Sequence, residues 1–197
     1  MTEVVIVDSG GANLSSLRFA FERLGARTCV TRDDVAIASA ERVVLPGVGA
    51  AGHAMERLRT LGLVTVLRTL TQPVLGICLG MQLLLERTEE DQAHCLGVLP
   101  GIAHRLARAV DRPVPHMGWN VLKQVRKDPL LDGIPDREYA YFVHSYAMPV
   151  AEHTIAASEY GIAISAVVRR RNFCGTQFHP ERSGKTGARV LENFLRQ

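Results

Sequence analysis

Hydrophobic positions in the first ninety residues switch between short unbroken runs and helical spacing. Val4-Val5-Ile6-Val7 is a β-branched run closed by Asp8-Ser9-Gly10-Gly11, the pattern of a strand buried on both faces where it enters a loop. Leu14, Leu17, Phe21 and Leu24 then recur on one helical face, and Gly25 supplies the stop. Residues 28–31 predict a second strand followed by a short helical segment. Residues 42–45 predict a third strand, which runs into Pro46-Gly47-Val48-Gly49. Two amphipathic stretches, 51–61 and 63–70, lead to a strand at 74–77. Strands alternating with helices predict an α/β fold, with a central, mostly parallel sheet and helices on both faces.

After residue 96 the texture changes. Short candidate strands at 102–106, 120–125, 139–143, 154–158, 162–168 and 173–177 are separated by Pro, Gly and Asp, with little helical periodicity. They predict an antiparallel or mixed extension of the same sheet. A closing helix is expected over 187–195, with Val190, Leu191, Phe194 and Leu195 on one face. No internal repeat, low-complexity segment or long linker divides the chain, so one domain spanning 1–197 is expected, long enough to bury a sizeable core.

Charge narrows the function classes. The chain carries 23 Lys and Arg against 20 Asp and Glu, a net charge of +3, and the arginines are spread from Arg18 to Arg196. That distribution argues against a nucleic-acid partner; the one run, Arg169-Arg170-Arg171, reads as a solvated loop. Cys29, Cys78, Cys95 and Cys174 lie far apart with no CxxC pair and no histidines at ligand spacing, so neither a metal site nor a disulfide framework is expected. The N-terminus carries Glu3 where a signal peptide would carry basic residues, and no stretch approaches the roughly 20 apolar residues of a membrane span. A cytoplasmic, reducing setting is expected.

The most informative segment is Pro73-Val74-Leu75-Gly76-Ile77-Cys78-Leu79-Gly80-Met81-Gln82. A buried strand enters Gly-x-Cys-x-Gly and leaves directly into an apolar helix, the layout of a nucleophile elbow with sulfur in place of oxygen. Such a turn forces its central residue into strained backbone angles, and glycines on both sides remove Cβ atoms that would clash. Cys78 then sits at a helix N-terminus, where free N–H groups and the helix dipole favour its thiolate, and the N–H of Leu79 points toward the same space as an oxyanion donor.

A cysteine nucleophile needs a base. In Thr176-Gln177-Phe178-His179-Pro180-Glu181 an extended segment would project His179 and Glu181 to one side, with Pro180 restricting the backbone and Glu181 orienting the imidazole. His144, in Tyr141-Phe142-Val143-His144-Ser145-Tyr146, ends an aromatic strand and is a candidate for lining the site. His116, in Pro115-His116-Met117-Gly118-Trp119-Asn120, divides evenly between a structural and an interface role. His53, His94, His104 and His153 carry no informative neighbours.

Together these segments resemble the class I, triad-type glutamine amidotransferases, and the match covers most of the chain. The resemblance implies a flavodoxin-like α/β fold, glutamine as substrate and no cofactor. It makes Cys78 the nucleophile that forms a glutamyl thioester, His179 the general base and later acid, and Glu181 its orienting partner. Oxyanion donors are expected from Leu79 and the Gly47-Val48-Gly49 strand, through Val48. Gly47, Gly49, Gln82, Ser145 and Tyr146 are expected to contact glutamine. The segments at 115–120 and 141–146, with Asp8 to Leu14, narrow the resemblance to the branch that serves histidine biosynthesis, in which ammonia passes within a heterodimer to a (β/α)8 barrel cyclase subunit.

On that resemblance Asn13, Trp119, Asn120, Tyr141 and Arg182 are expected to face the partner. Ser9, Ala12 and Arg182 depart from the family's usual aromatic residue, glycine and lysine, and Arg182 replaces a point charge by a planar fork. Gly47 and Gly49 on either side of Val48 would let that peptide turn over, so that loss of one oxyanion donor slows the glutaminase by about 10²–10³ until the partner binds its nucleotide. Two other readings fit the same residues: the glutaminase subunit of another amidotransferase, and an idle scaffold with this fold.

Overall fold

The structure is a computed structural model that describes residues 2–10, 14–47 and 49–197. Its first half alternates as the hydrophobic pattern predicts: β1 (Glu3–Val7), α1 (Leu14–Arg23), β2 (Arg27–Thr31), α2 (Asp34–Ser39), β3 (Arg42–Gly47), α3 (Ala51–Thr60), α4 (Leu63–Thr69), β4 (Val74–Cys78) and α5 (Leu79–Leu84). Strands dominate the second half: β5 (Arg87–Thr88), β6 (Ile102–Arg105), β7 (His116–Val121), β8 (Lys123–Gln124), β9 (Tyr139–His144), β10 (Tyr146–Ala147), β11 (Thr154–Glu159), β12 (Ala163–Arg170) and β13 (Phe173–Thr176), before α6 (Gly184–Leu195).

One eight-stranded sheet in the order β2-β1-β3-β4-β13-β12-β11-β8 organises the molecule. From β2 to β13 neighbouring strands are parallel, and β12, β11 and β8 continue antiparallel. Because successive strand residues face opposite ways, Val5, Val7, Val43 and Leu45 join the core beneath α3, α4 and α5, while Val4, Ile6, Val44 and Ile77 join the core beneath α1 and α6. Both faces are therefore dry, which is why these strands read as unbroken apolar runs. Local signals set the helix ends: the Asp33 carboxylate accepts the N–H of Ala36 to cap α2, and Gly25 after α1 adopts φ +82°.

Three expectations need correction. The strands after residue 96 do not all extend the main sheet. β8, β11, β12 and β13 do, but β5, β6 and β10 form a small sheet of their own, and β7 pairs with β9 in a separate antiparallel ribbon. The ribbon's main chain is committed elsewhere. The N–H of His179 donates to the Tyr141 carbonyl, and the N–H of Tyr141 donates to Ser183 Oγ, so β9 is pinned to the segment that leaves β13. The strand expected at 120–125 is likewise two strands, because Leu122 turns into the core between them. The last helix starts three residues earlier than expected, at Gly184, and Gly187 within it is required by a close approach: a Cβ there would collide with the Pro180 carbonyl.

Candidate active site

The parallel strands β3, β4 and β13 bring their carboxyl ends together, the place where open α/β sheets bind ligands. Gly47 at the end of β3 pairs with Cys78 at the end of β4. Cys78 adopts φ +53°, ψ −110°, and Leu79 begins α5 at the next residue. The flanking glycines are required by close approach. A Cβ on Gly76 would lie 2.7 Å from the Gly80 carbonyl oxygen, and one on Gly80 would collide with the Leu45 carbonyl. The chain thus holds a side chain in a strained conformation that only dense surroundings maintain, and it leaves the N–H of Leu79, at the first helical position, without an intrahelical acceptor.

His179 arrives from the end of β13, and its ring faces the same cavity as the Cys78 sulfur, close enough for the two to interact. On the other side its Nδ1 lies 3.0 Å from Glu181 Oε1. The pairing comes about differently from the extended projection expected. His179 is extended, but Pro180–Arg182 is a turn of 3-10 helix, and that turn swings Glu181 back against the ring. Ser183 locks the turn by donating from Oγ to the His179 carbonyl at 2.7 Å. Burial pushes the imidazole's pKa down, but interaction with the Cys78 side chain and with the hydrogen-bonded Glu181 outweighs it and holds the ring up at about 10. At neutral pH the ring is a cation wedged between a sulfur and a carboxylate.

Cys78 and His179 border a cavity of about 330 Å³. Gly47, Gly49, Leu79, Gln82, Ser145 and Tyr146 line it, and so does His144. Gly49 adopts φ +91°. Gln82 spends its amide nitrogen on the wall itself, donating to the Tyr146 carbonyl at 2.8 Å and to Gln177 Oε1 at 3.1 Å. Val48 and Asn13 lie outside the described residues.

Three residues escaped the sequence reading. Glu90 and Pro115 line the cavity, and buried Gln177 places its amide nitrogen 3.9 Å from the Cys78 sulfur. Glu90 follows no periodic pattern; its carboxylate caps α3 by accepting the N–H of Ala51, and burial raises its pKa. The one available signal was Gln177's place two residues before the histidine.

The residues expected on a partner surface separate by strand alternation. Met117, Trp119 and Tyr139 are exposed on the outward face of the β7–β9 ribbon, where Trp119 packs edge-on against Tyr141 with ring centroids 5.8 Å apart. Arg182 is exposed as well. Asn120 turns to the opposite face, and its side-chain amide donates to the Glu159 carbonyl at 2.9 Å.

Comparison with known proteins agrees with this geometry. The family model described as glutamine amidotransferase class-I matches residues 5–197. A protein named imidazole glycerol phosphate synthase subunit HisH, from Xanthomonas euvesicatoria, is 56% identical over 195 residues, covering 99% of this chain and 98% of its own. The protein of the same name from Xylella fastidiosa is 51% identical with the same coverage. Among solved structures, PurLQS from Thermotoga maritima superposes with a TM-score of 0.74 at 17% identity, over 99% of this chain and 98% of that one, a likeness of fold. The chain belongs to the class-I glutamine amidotransferases and, within them, to the HisH subunits. No helix among the described residues is long and apolar enough to cross a membrane.

Proposed function

We propose that this chain is the glutaminase subunit of imidazole glycerol phosphate synthase, a single glutamine amidotransferase domain that works in the cytoplasm and passes ammonia to a (β/α)8 barrel cyclase subunit in histidine biosynthesis. The observation that carries the reading is the Cys78 sulfur at a strained elbow, facing one cavity with a His179 ring held 3.0 Å from Glu181, beside Gln82, Ser145 and Tyr146.

The Cys78 sulfur attacks the side-chain carbonyl carbon of glutamine, and the carbonyl oxygen takes up negative charge against the Leu79 N–H and a second donor supplied from residues 47–49. The His179 cation gives its proton to the departing nitrogen. The C–N bond breaks, ammonia leaves and a thioester remains. Water then attacks the thioester while the now neutral His179 ring takes one of its protons; the C–S bond breaks with its electron pair going to sulfur, glutamate is released, and the sulfur is left beside the protonated ring as at the start. Glu90 supplies a carboxylate for the substrate's α-ammonium group, and Ser145 and Tyr146, which line the same cavity, hold its α-groups. The outward apolar face with Trp119 and Tyr141 suits a protein partner, and it leads through Val143, whose carbonyl oxygen lies 3.5 Å from the Cys78 sulfur, to the reaction centre.

The test is to purify the chain with its barrel partner and follow glutamate release from glutamine, with and without the cyclase nucleotide. Glutamate release that rises with nucleotide supports the reading. Hydrolysis of glutamine without any coupling to a barrel cyclase favours another amidotransferase, and labelling of no cysteine by a diazoketone analogue of glutamine favours an idle scaffold.

A further inference from the structure

Behind the cavity wall lies a second buried polar system that the triad does not use. His144 Nδ1 is 2.9 Å from the Tyr146 carbonyl oxygen, and its Nε2 is 2.9 Å from His116 Nδ1. His116 Nε2 is in turn 3.3 Å from Asn120 Nδ2. Both imidazoles are buried. His116 is clamped in a stack between Phe142 and Tyr160, with ring centroids 5.0 and 4.0 Å away.

The direction of every bond in this row follows from either end. A carbonyl oxygen only accepts, so His144 carries its hydrogen on Nδ1 and accepts on Nε2. His116 must then donate from Nδ1 and accept on Nε2, which requires an N–H from Asn120. From the other end, Asn120 Oδ1 accepts the Val121 N–H at 2.8 Å, so its NH₂ group faces both the Glu159 carbonyl and His116. The two ends impose the same polarity. A second proton on either ring would set N–H against N–H.

We propose that the row Asn120, His116, His144 and the Tyr146 carbonyl positions the glutamine-binding wall, with His116 as a positioning residue that acts through His144. The inference rests on the glutaminase reading of the cavity. Tyr146 O is the shared terminus: it accepts from His144 Nδ1 and from Gln82 Nε2, so one carbonyl ties the strand that holds the substrate's α-groups to the helix that follows the nucleophile. Neutrality has a second use here. Burial pushes His144 down to about 3 and His116 to about 4, so neither ring competes with the His179 cation for negative charge. A row of fully satisfied hydrogen bonds holds its members more firmly than independent contacts would.

The experiment uses the full chain with its barrel partner and measures glutamate release over a range of glutamine concentrations. His116→Phe keeps a ring in the stack but removes the donor to His144; His116→Asn restores an N–H at the position of Nδ1. The expected result is a KM for glutamine raised about tenfold in His116→Phe with kcat within about twofold of wild type, and recovery to within about threefold in His116→Asn. An unchanged KM in His116→Phe, or an equal rise in both variants, overturns the proposal. Nitrogen-15 spectra of the wild-type imidazoles supply a readout that needs no variant to fold: His144 protonated on Nδ1 and bare on Nε2 is expected, and the opposite tautomer overturns the row. A wild-type complex that releases no glutamate sinks the glutaminase reading instead, while those spectra still decide the hydrogen-bond row.

Discussion

His179 and Glu181 meet at 3.0 Å, Nδ1 to Oε1, across one turn of 3-10 helix that begins at Pro180. The contact is local in sequence, yet it is made only because Ser183 closes the turn on the His179 carbonyl and the Tyr141 carbonyl anchors the His179 N–H. The ring then reaches a sulfur contributed by a strand about a hundred residues earlier.

That contact sets a pH dependence. Because His179 is held up at about 10 in the folded chain against 6.5 when unperturbed, the folded state binds the extra proton between those values. Its contribution to stability is complete below about 6.5 and is lost as pH rises through about 10. Glu181→Gln keeps the shape but removes the negative charge, which lowers the ring's pKa. Glutaminase activity is expected to fall by about 10²–10⁴, and the loss of urea resistance between pH 7 and 10 to become shallower than in wild type.

The two other buried imidazoles act in the opposite direction. His144 and His116 are held down to about 3 and about 4. The unfolded chain therefore binds more protons below about 6.5, and stability that is present above that value is lost as pH falls toward 4. Urea midpoints measured from pH 7 to 4.5 should decline, and His116→Asn should reduce the slope by removing one of the two titrating groups.

Cys78→Ala is expected to abolish glutamine-dependent synthesis by the complex while leaving synthesis from added ammonium salts intact, because on the proposed mechanism the sulfur serves only to release ammonia. Paired assays with glutamine and with ammonium chloride check it. Retained glutaminase activity in this variant would show that another group is the nucleophile.

Gly80→Ala should prevent the elbow from forming, since the added Cβ would run into the Leu45 carbonyl on the neighbouring strand and neither backbone can retreat from a fully buried sheet. A loss of about 3 kcal/mol or more is expected. Thermal unfolding followed by circular dichroism measures it.

Trp119→Ala should weaken barrel binding by about thirtyfold, the scale of a 2 kcal/mol interface anchor, with an unchanged circular dichroism spectrum because the side chain is 56% exposed. Titration calorimetry against the barrel subunit gives the affinity. Unaltered binding would remove the ribbon from the interface.

The elbow was legible because everything it needs lies within five consecutive residues: glycines at 76 and 80, a strand before and a helix after. The pairing of His179 with Glu181 was also legible, although by way of a turn rather than an extended strand. Glu90, Pro115 and Gln177 were not. Each reaches the site through a separate loop or strand end, and none sits at a spacing that marks chemistry. Asn120 illustrates a subtler failure, since its neighbour Trp119 faces outward and strand alternation alone turns Asn120 inward to His116.

Local pattern was sufficient for the alternation of strands and helices to residue 84, for the strained cysteine and for the pairing of His179 with Glu181, because hydrophobic period, glycine placement and i to i+2 proximity are properties of short segments. Only the folded chain decided that β7 and β9 leave the main sheet as a ribbon, that two histidines 28 residues apart share a hydrogen bond, and that Gln82 and Gln177 meet behind the sulfur. Those choices depend on which main-chain and side-chain groups remain unpaired once the sheet has closed, a quantity that no window of sequence contains.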